Sequence, residues 1–355
     1  MAGWNGSGGG RNGNGGTNGG GRSEDGAIPR GTMAMLERHG PAMLRQLAGG
    51  RPRILELQVT RGCNARCAWC DAWRAPGSDA GMPDYAPLVR RLQPLDVALV
   101  GGEPLLRPDL ERVAASIRLG TEISSLILVT NGVDLSLERA HRLREAGVDK
   151  LVVLLEGLGE ENDRTRRRPG LSAHIDGLLP GLVAAGFRAV QLQVVITGRS
   201  PEGLVEAARY ARERGVRVSF TVERPARLEA RAISVDESAL AALADAMEQL
   251  AVLAETWPHI ASSPEYLRRV VPFLREQTAD FPDCAAGSGF LRVTPDGWIR
   301  PCADVPPLGH WTAWPLRPTP FDCPGCWTRL RGDGPSALGV RRLVELYRAS
   351  TGAAG

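Results

Sequence analysis

At 355 residues with 43% apolar content, the chain is long enough for two domains and a proper core. It has no apolar run of the roughly eighteen residues that a membrane-spanning helix needs, and its net charge of +3 is too small for this length to point to nucleic acid or an anionic surface. Seven cysteines, an odd number in a chain that needs no disulfide staples, suggest metal ligands in a reducing cytoplasm.

Residues 1–32 are rich in Gly, Asn and Ser, the composition of a disordered tail rather than a secretory signal. The spacing from Met33 to Leu47 predicts a short amphipathic helix, which fills residues 33–50 and caps the end of a barrel. An apolar run, Ile54 to Val59, then reads as a strand and leads into Cys63, Cys67 and Cys70. These form a C-x3-C-x2-C loop with an aromatic residue, Trp69, before the third thiol. Three thiolates on one short loop can hold three irons of a cubane [4Fe–4S] cluster and leave the fourth open. A partial zinc knuckle or a piece of a disulfide framework is the competing use of such spacing. The next strand-like run, Val97 to Val100, ends in Gly101-Gly102-Glu103-Pro104. There two glycines let backbone approach a ligand closely, and the carboxylate can accept from an ammonium group.

The two motifs, one strand apart, resemble the radical S-adenosylmethionine (SAM) superfamily. That resemblance implies that Cys63, Cys67 and Cys70 hold a [4Fe–4S] cluster whose open iron is chelated by SAM. It implies that the Gly101, Gly102, Glu103, Pro104 turn holds the SAM amino group, with Trp69 also at the cofactor. Electron transfer would then cleave a carbon–sulfur bond and give a 5'-deoxyadenosyl radical that takes hydrogen from substrate.

Further strand-like runs fall at Ser125 to Thr130, Leu151 to Leu155, Ala189 to Ile196 and Val216 to Val222. Helical patterns lie between them at Leu110 to Leu119, Leu137 to Ala146, Ile175 to Ala185 and Leu204 to Arg214. Strand and helix alternating six times predict an α/β fold with a parallel sheet, an open, partial (β/α)6 barrel over residues 51–230. The resemblance implies the same barrel. Active sites in such folds gather at the C-terminal strand ends, a rim that also carries Thr130, Asn131, Glu156, Thr197-Gly198, Glu223 and Arg224. Turn and ligand roles are equally open for Thr130 and Asn131. Glu156 follows five apolar residues and is placed to accept from ribose hydroxyls, at a position where many relatives have Asp. Glu223 and Arg224 are the candidates for facing substrate, against a structural ion pair. The run Arg164 to Arg168, on the loop after the fourth strand, reads as solvated surface or as a clamp for phosphate, carboxylate or acidic peptide. The histidines share no motif and are assigned to no metal.

Connector helices are expected within residues 231–280, at Val235 to Leu253 and Pro264 to Glu276. Residues 281–335 hold Cys284, Cys302, Cys323 and Cys326, with Phe290 to Arg300 reading as a hairpin around Pro295-Asp296-Gly297. Four thiolates suit either a structural zinc or a fully ligated [4Fe–4S] cluster. Behind a radical SAM core the layout resembles a twitch-type auxiliary domain, a β-hairpin plus a CxxC knuckle. This implies a second [4Fe–4S] cluster; the longer SPASM pattern would add cysteines after Cys326. Trp298, Trp311, Trp314 and Trp327 either fill this small core or shield a cluster and line a pocket. A last helix is expected at Ser336 to Arg348, within residues 336–355.

The reading is a radical SAM enzyme. An auxiliary cluster with four thiolates has no open iron for substrate, so its expected task is to accept an electron in a net oxidation, the dehydrogenation of a small molecule. A peptide-modifying enzyme that crosslinks or epimerises ribosomally made peptides is one alternative, and a non-catalytic iron-sulfur or zinc scaffold is another. The short stretch before Gly50 is too small for a leader-binding module, which tilts toward a small molecule. Expected partners are that substrate and a flavodoxin- or ferredoxin-type reductant, with no nucleic acid and no membrane.

Overall fold

The computed structural model describes residues 51–67, 70–75, 81–196, 201–222, 236–276, 286–287, 289–302 and 305–313. The expectations for the tail and helix of residues 1–50, for Trp69, Thr197-Gly198, Glu223, Arg224, Cys284, Cys323, Cys326, Trp314 and Trp327, and for the last helix lie outside them.

The chain alternates strand and helix. In order come β1 (Ile54–Gln58), α1 (Ala86–Leu92), β2 (Asp96–Val100), α2 (Leu110–Gly120), β3 (Ser125–Thr130) and α3 (Leu137–Glu145). β4 (Lys150–Leu155), α4 (Glu160–Arg166), α5 (Leu171–Ala184), β5 (Ala189–Ile196), α6 (Glu202–Glu213) and β6 (Arg217–Val222) complete the alternation. After them stand α7 (Glu237–Thr256), α8 (Pro264–Glu276) and three short strands, β7 (Phe290–Val293), β8 (Trp298–Arg300) and β9 (Gly309–His310). β1 to β6 pair in sequence order, every pair parallel. This is the expected open α/β barrel. It results from strands too apolar to leave either face wet: Val97 to Val100 are all buried, as are Leu151 to Val153. Helices bury their apolar stripes on the sheet, with Leu110, Val113, Ala114 and Ile117 facing inward from α2. α3 starts where the Ser136 hydroxyl accepts from the Arg139 N–H at 3.2 Å, and it ends before Gly147, whose φ of 99° only glycine adopts readily. Among the described residues no helix is long and apolar enough to cross a membrane.

Both flanks of the parallel sheet are covered. On β6, the Val218 N–H donates to His259 O at 2.9 Å and Val218 O accepts from Ala261 N–H at 2.7 Å, so the segment after α7 screens that edge. On the other flank, β1 pairs in parallel with β7, Ile54 opposite Phe290 and Leu57 opposite Val293. The hairpin expected within residues 281–335 continues the barrel sheet in the order β6-β5-β4-β3-β2-β1-β7-β8-β9, where it fills the free edge of β1. Its turn therefore lies at the same end as the cysteine loop.

Two helices were not expected. α1 is too short to show a period, and α4, Glu-Glu-Asn-Asp-Arg-Thr-Arg, has no apolar residue from which to read one. α4 also moves Arg164 to Arg166 from the expected loop onto a helix.

Candidate active site

β1 carries the chain to the rim, where Cys63, Cys67 and Cys70 come within one loop. Cys67 is buried, and Cys63 and Cys70 are half-buried. Burial is the main cause that raises the Cys63 thiol above its ordinary value, opposed by the Ala65 N–H and by Asn131. Burial likewise pushes Cys67 up to about 12, against the pull of the Arg166 guanidinium and with the Glu156 carboxylate adding to it. Such thiols keep their protons until a cation replaces them, as metal-ligating cysteines do. Among the described residues, no three His, Cys, Asp or Glu side chains converge on one ion. A cubane takes one thiolate per iron and has no need of that convergence.

The Gly101-Gly102-Glu103-Pro104 turn is fastened to this loop. The Gly102 N–H donates to Thr60 O at 3.0 Å and the Glu103 N–H to Gly62 O at 2.8 Å. A Cβ on Gly102 would lie 2.5 Å from the Gly62 carbonyl carbon, and one on Gly101 would lie 2.7 Å from Thr60 O. The glycines are thus needed for the approach of one backbone to another.

Glu103 does something other than expected. Its side chain is wholly buried, and both oxygens are occupied. Oε1 accepts from the Thr130 hydroxyl at 2.6 Å and the Leu105 N–H at 3.0 Å, and Oε2 from the Asn131 N–H at 2.7 Å. Burial pushes this carboxyl up, while the three donors and the Arg166 charge oppose it. Three donors and no acceptor fit the ionised form. Its carboxylate thus pins the turn to β3 instead of being presented to an ammonium group.

Thr130 and Asn131 belong to that same set. The Asn131 Nδ2 donates to Asn64 Oδ1 at 2.8 Å and to the Cys63 sulfur at 3.6 Å, and its Oδ1 accepts from the Val133 N–H at 2.9 Å. Of the turn and ligand roles left open in the sequence, these contacts show the turn: Asn131 closes its own turn, and its amide also touches a thiol. Asn64, not singled out in the sequence, is held on its other side by donating to Asp134 at 2.8 Å.

Glu156 is also turned inward. Its carboxylate accepts from Arg166 Nη2 at 3.1 Å, with both side chains buried. The Asn162 Oδ1 accepts from Arg166 Nε at 3.2 Å and from the Glu156 N–H at 2.9 Å. A carboxylate spent on a buried guanidinium has lost the reason to expect it on a ribose. For the basic run, Arg166 is thereby neither solvated nor free to clamp an anion, whereas Arg164, Arg167 and Arg168 are exposed. Sequence reasoning missed Asn162 and the buried role of Arg166; their signal is the four-residue spacing that places them on one face of α4. His174, His259 and His310 bond backbone carbonyls.

From the hairpin, Asp296 accepts from Arg61 Nη2 at 2.6 Å, and Pro295 O accepts from the Met82 N–H at 2.9 Å. Burial pushes the Asp296 carboxyl up, but the Thr294 hydroxyl and Arg61 outweigh it and hold its pKa low. Cys302 is buried just after β8. The β7–β8 register pairs Arg292 with Arg300, and continued it sets Cys302 level with Phe290, the partner of Ile54 at the start of β1. Along the strands that is about 13 Å from the end of β1 that feeds the cysteine loop. Trp298 stays largely exposed with its ring edge-on to His310, and Trp311 packs on the core.

A family model described as "Radical SAM superfamily" matches residues 57–225. A protein of Synechococcus sp. (strain CC9902) named "GTP 3',8-cyclase" is 35% identical over 233 residues, 59% of this chain and 65% of that protein. The "GTP 3',8-cyclase" of Rhodopirellula baltica is 29% identical over 288 residues, 74% of this chain and 77% of the relative. Among solved structures, Streptococcus suis SuiB bound to precursor peptide SuiA has a TM-score of 0.60 at 16% identity, covering 83% of this chain and 71% of SuiB. Native anSMEcpe with bound AdoMet has a TM-score of 0.54 at 15% identity, covering 74% of this chain and 79% of the other. At such identities these two speak for the fold alone.

Proposed function

We propose that the chain, which the radical SAM family model matches over residues 57–225, cleaves SAM reductively at the cysteine loop and takes a hydrogen atom from a small-molecule substrate. The family uses a [4Fe–4S] cluster and SAM, and Cys63, Cys67 and Cys70 would hold that cluster here. When bound, it supplies the electron that breaks the sulfonium bond.

The chain's own residues do the positioning. The close approach of Gly102 to the Gly62 carbonyl is the observation that carries the reading, since it locks a turn suited to SAM onto the loop suited to the cluster. With the Glu103 carboxylate occupied, the acceptors left for the SAM ammonium are backbone carbonyls of the turn. The Asn131 amide on the Cys63 sulfur and the Arg166 charge near Cys67 stabilise thiolates. Hydrogen bonds to cluster sulfurs are among the means by which a protein sets a cluster's potential.

Cys302, with Cys284, Cys323 and Cys326, is proposed to hold a second cluster that accepts the substrate's electron, which makes the net reaction an oxidation. A second reading takes its support from the relatives: they are named for a purine nucleotide, and a nucleotide is then the small molecule. Anaerobic incubation of reconstituted chain with SAM and dithionite should give 5'-deoxyadenosine, and replacing Cys63, Cys67 and Cys70 together by alanine should abolish it. Product from the triple variant would overturn the site. Faster deoxyadenosine formation on adding GTP would favour the nucleotide reading, and an unchanged rate would count against it.

A further inference from the structure

We propose that the exposed arginines around the cysteine loop form a docking surface for a small acidic electron-carrier protein; this rests on the SAM-cleaving reading and says where its electron enters. Three contacts assemble the surface. The Arg66 N–H donates to Arg166 O at 3.2 Å, which sets the end of α4, and Arg167 and Arg168 beyond it, against the loop that bears the thiols. On the turn just after Cys70, the Arg66 guanidinium lies 5.7 Å and the Arg74 guanidinium 4.9 Å from the Trp73 ring centre. Arg66 and Arg74 are exposed beside the half-buried Trp73, and Arg164, Arg167 and Arg168 are exposed at the end of α4 that the Arg66 bond ties to this loop.

Among the described residues, Arg74 alone of these five arginines has an ion-pair partner. Asp71 pairs with Arg74 at 3.3 Å, and the Asp163 oxygens accept from the N–H groups of Gly170 at 2.5 Å and Ser172 at 2.8 Å. Glu160 and Glu161 sit at the other end of α4, where they suit the helix dipole. Among the described residues, Arg66, Arg164, Arg167 and Arg168 make no ion pair. Arg166, in contrast, is buried and neutralised by Glu156.

Guanidiniums that bind one phosphate converge on it. These are exposed along a helix end and a loop, an arrangement that meets a broad acidic face. An aromatic with arginines around it has the make-up of an interface centre, and like charges on its rim steer a partner of opposite sign. The site lies on the loop of the proposed cluster ligands, where a carrier that gives up one electron, taken up by this chain, has the shortest path.

The test compares two reductants on the reconstituted full chain: dithionite, which needs no docking surface, and a reduced acidic bacterial flavodoxin. Arg164→Glu/Arg167→Glu/Arg168→Glu should lower flavodoxin-driven deoxyadenosine formation by about tenfold or more at limiting flavodoxin, with the dithionite rate within about twofold of wild type. The milder Arg164→Gln/Arg167→Asn/Arg168→Gln should fall between and guards against misfolding in the reversal, since Asn tolerates the positive φ at position 167. Flavodoxin binding, read by fluorescence anisotropy without turnover, should weaken with salt and be lost in the reversal. Equal loss with both reductants at full iron content, loss with neither, or salt-independent binding would each overturn the surface. A loss seen only in the affinity for an acidic peptide substrate would overturn it too. No deoxyadenosine from wild type with dithionite would sink the SAM reading instead, while the binding experiment still judges the surface.

Discussion

Replacing Gly102 by alanine should separate the two halves of the site without touching a thiol. The new Cβ would lie 2.5 Å from the Gly62 carbonyl carbon, where ordinary contact begins near 3.4 Å, so turn and loop must part by about 1 Å. The obstructing atoms are backbone, which has no rotamer to yield. Two hydrogen bonds hold the same gap closed, Gly102 N–H to Thr60 O and Glu103 N–H to Gly62 O. Stretching both costs about 1–3 kcal/mol, and a misplacement of about 1 Å costs on the order of 100-fold in rate. Anaerobic deoxyadenosine formation with dithionite should therefore drop by about two orders of magnitude at unchanged iron content. The melting temperature should drop by about 2–4 °C for each kcal/mol lost. Gly120→Ala is the control, because the Cβ there meets chiefly the mobile end of Arg90. If Gly102→Ala kept more than about a third of the wild-type rate, when a 1 Å shift should cost far more, the contact would not be what aligns the site.

Glu156→Gln should strand a buried Arg166 and lower stability by about 3–5 kcal/mol in urea unfolding; pairing it with Arg166→Met should recover most of that loss. Asp109, hydrogen-bonded to Arg107 at 2.7 Å, has its pKa held below the ordinary value chiefly by that bond. Its stabilisation is complete above the unfolded pKa of about 3.9 and is lost as pH falls through the lower folded value. Wild type should thus be more stable than Asp109→Asn at neutral pH, with the gap closing in melts below about pH 4. Cys302→Ala should lower bound iron from about eight to about four per chain, and zinc recovered in the wild type would refute the electron-acceptor role.

Much of the barrel could be read from the sequence because parallel strands buried on both faces are short apolar blocks and their crossover helices carry one apolar stripe. β3 and β5 begin and end where the apolar runs do. α4 escaped because a helix made of acids, arginines and polar residues leaves no hydrophobic period. The placement of the hairpin escaped as well. Its turn chemistry is local, but its pairing with β1 is set by an empty strand edge more than two hundred residues earlier. In the site, residue types were legible and directions were not. Glu103 and Glu156 end apolar runs just as ligand-binding carboxylates would, and only the positions of Thr130, Asn131 and Arg166 show that both are spent inside the protein.

If an incompletely ligated cluster on the Cys63, Cys67, Cys70 loop grips SAM, its electron paramagnetic resonance signal must respond to SAM. In oxygen-free, dithionite-reduced chain, recorded with and without SAM, the signal should shift, and Cys63→Ala/Cys67→Ala/Cys70→Ala should remove the responsive component; a reduced signal indifferent to SAM would overturn the assignment.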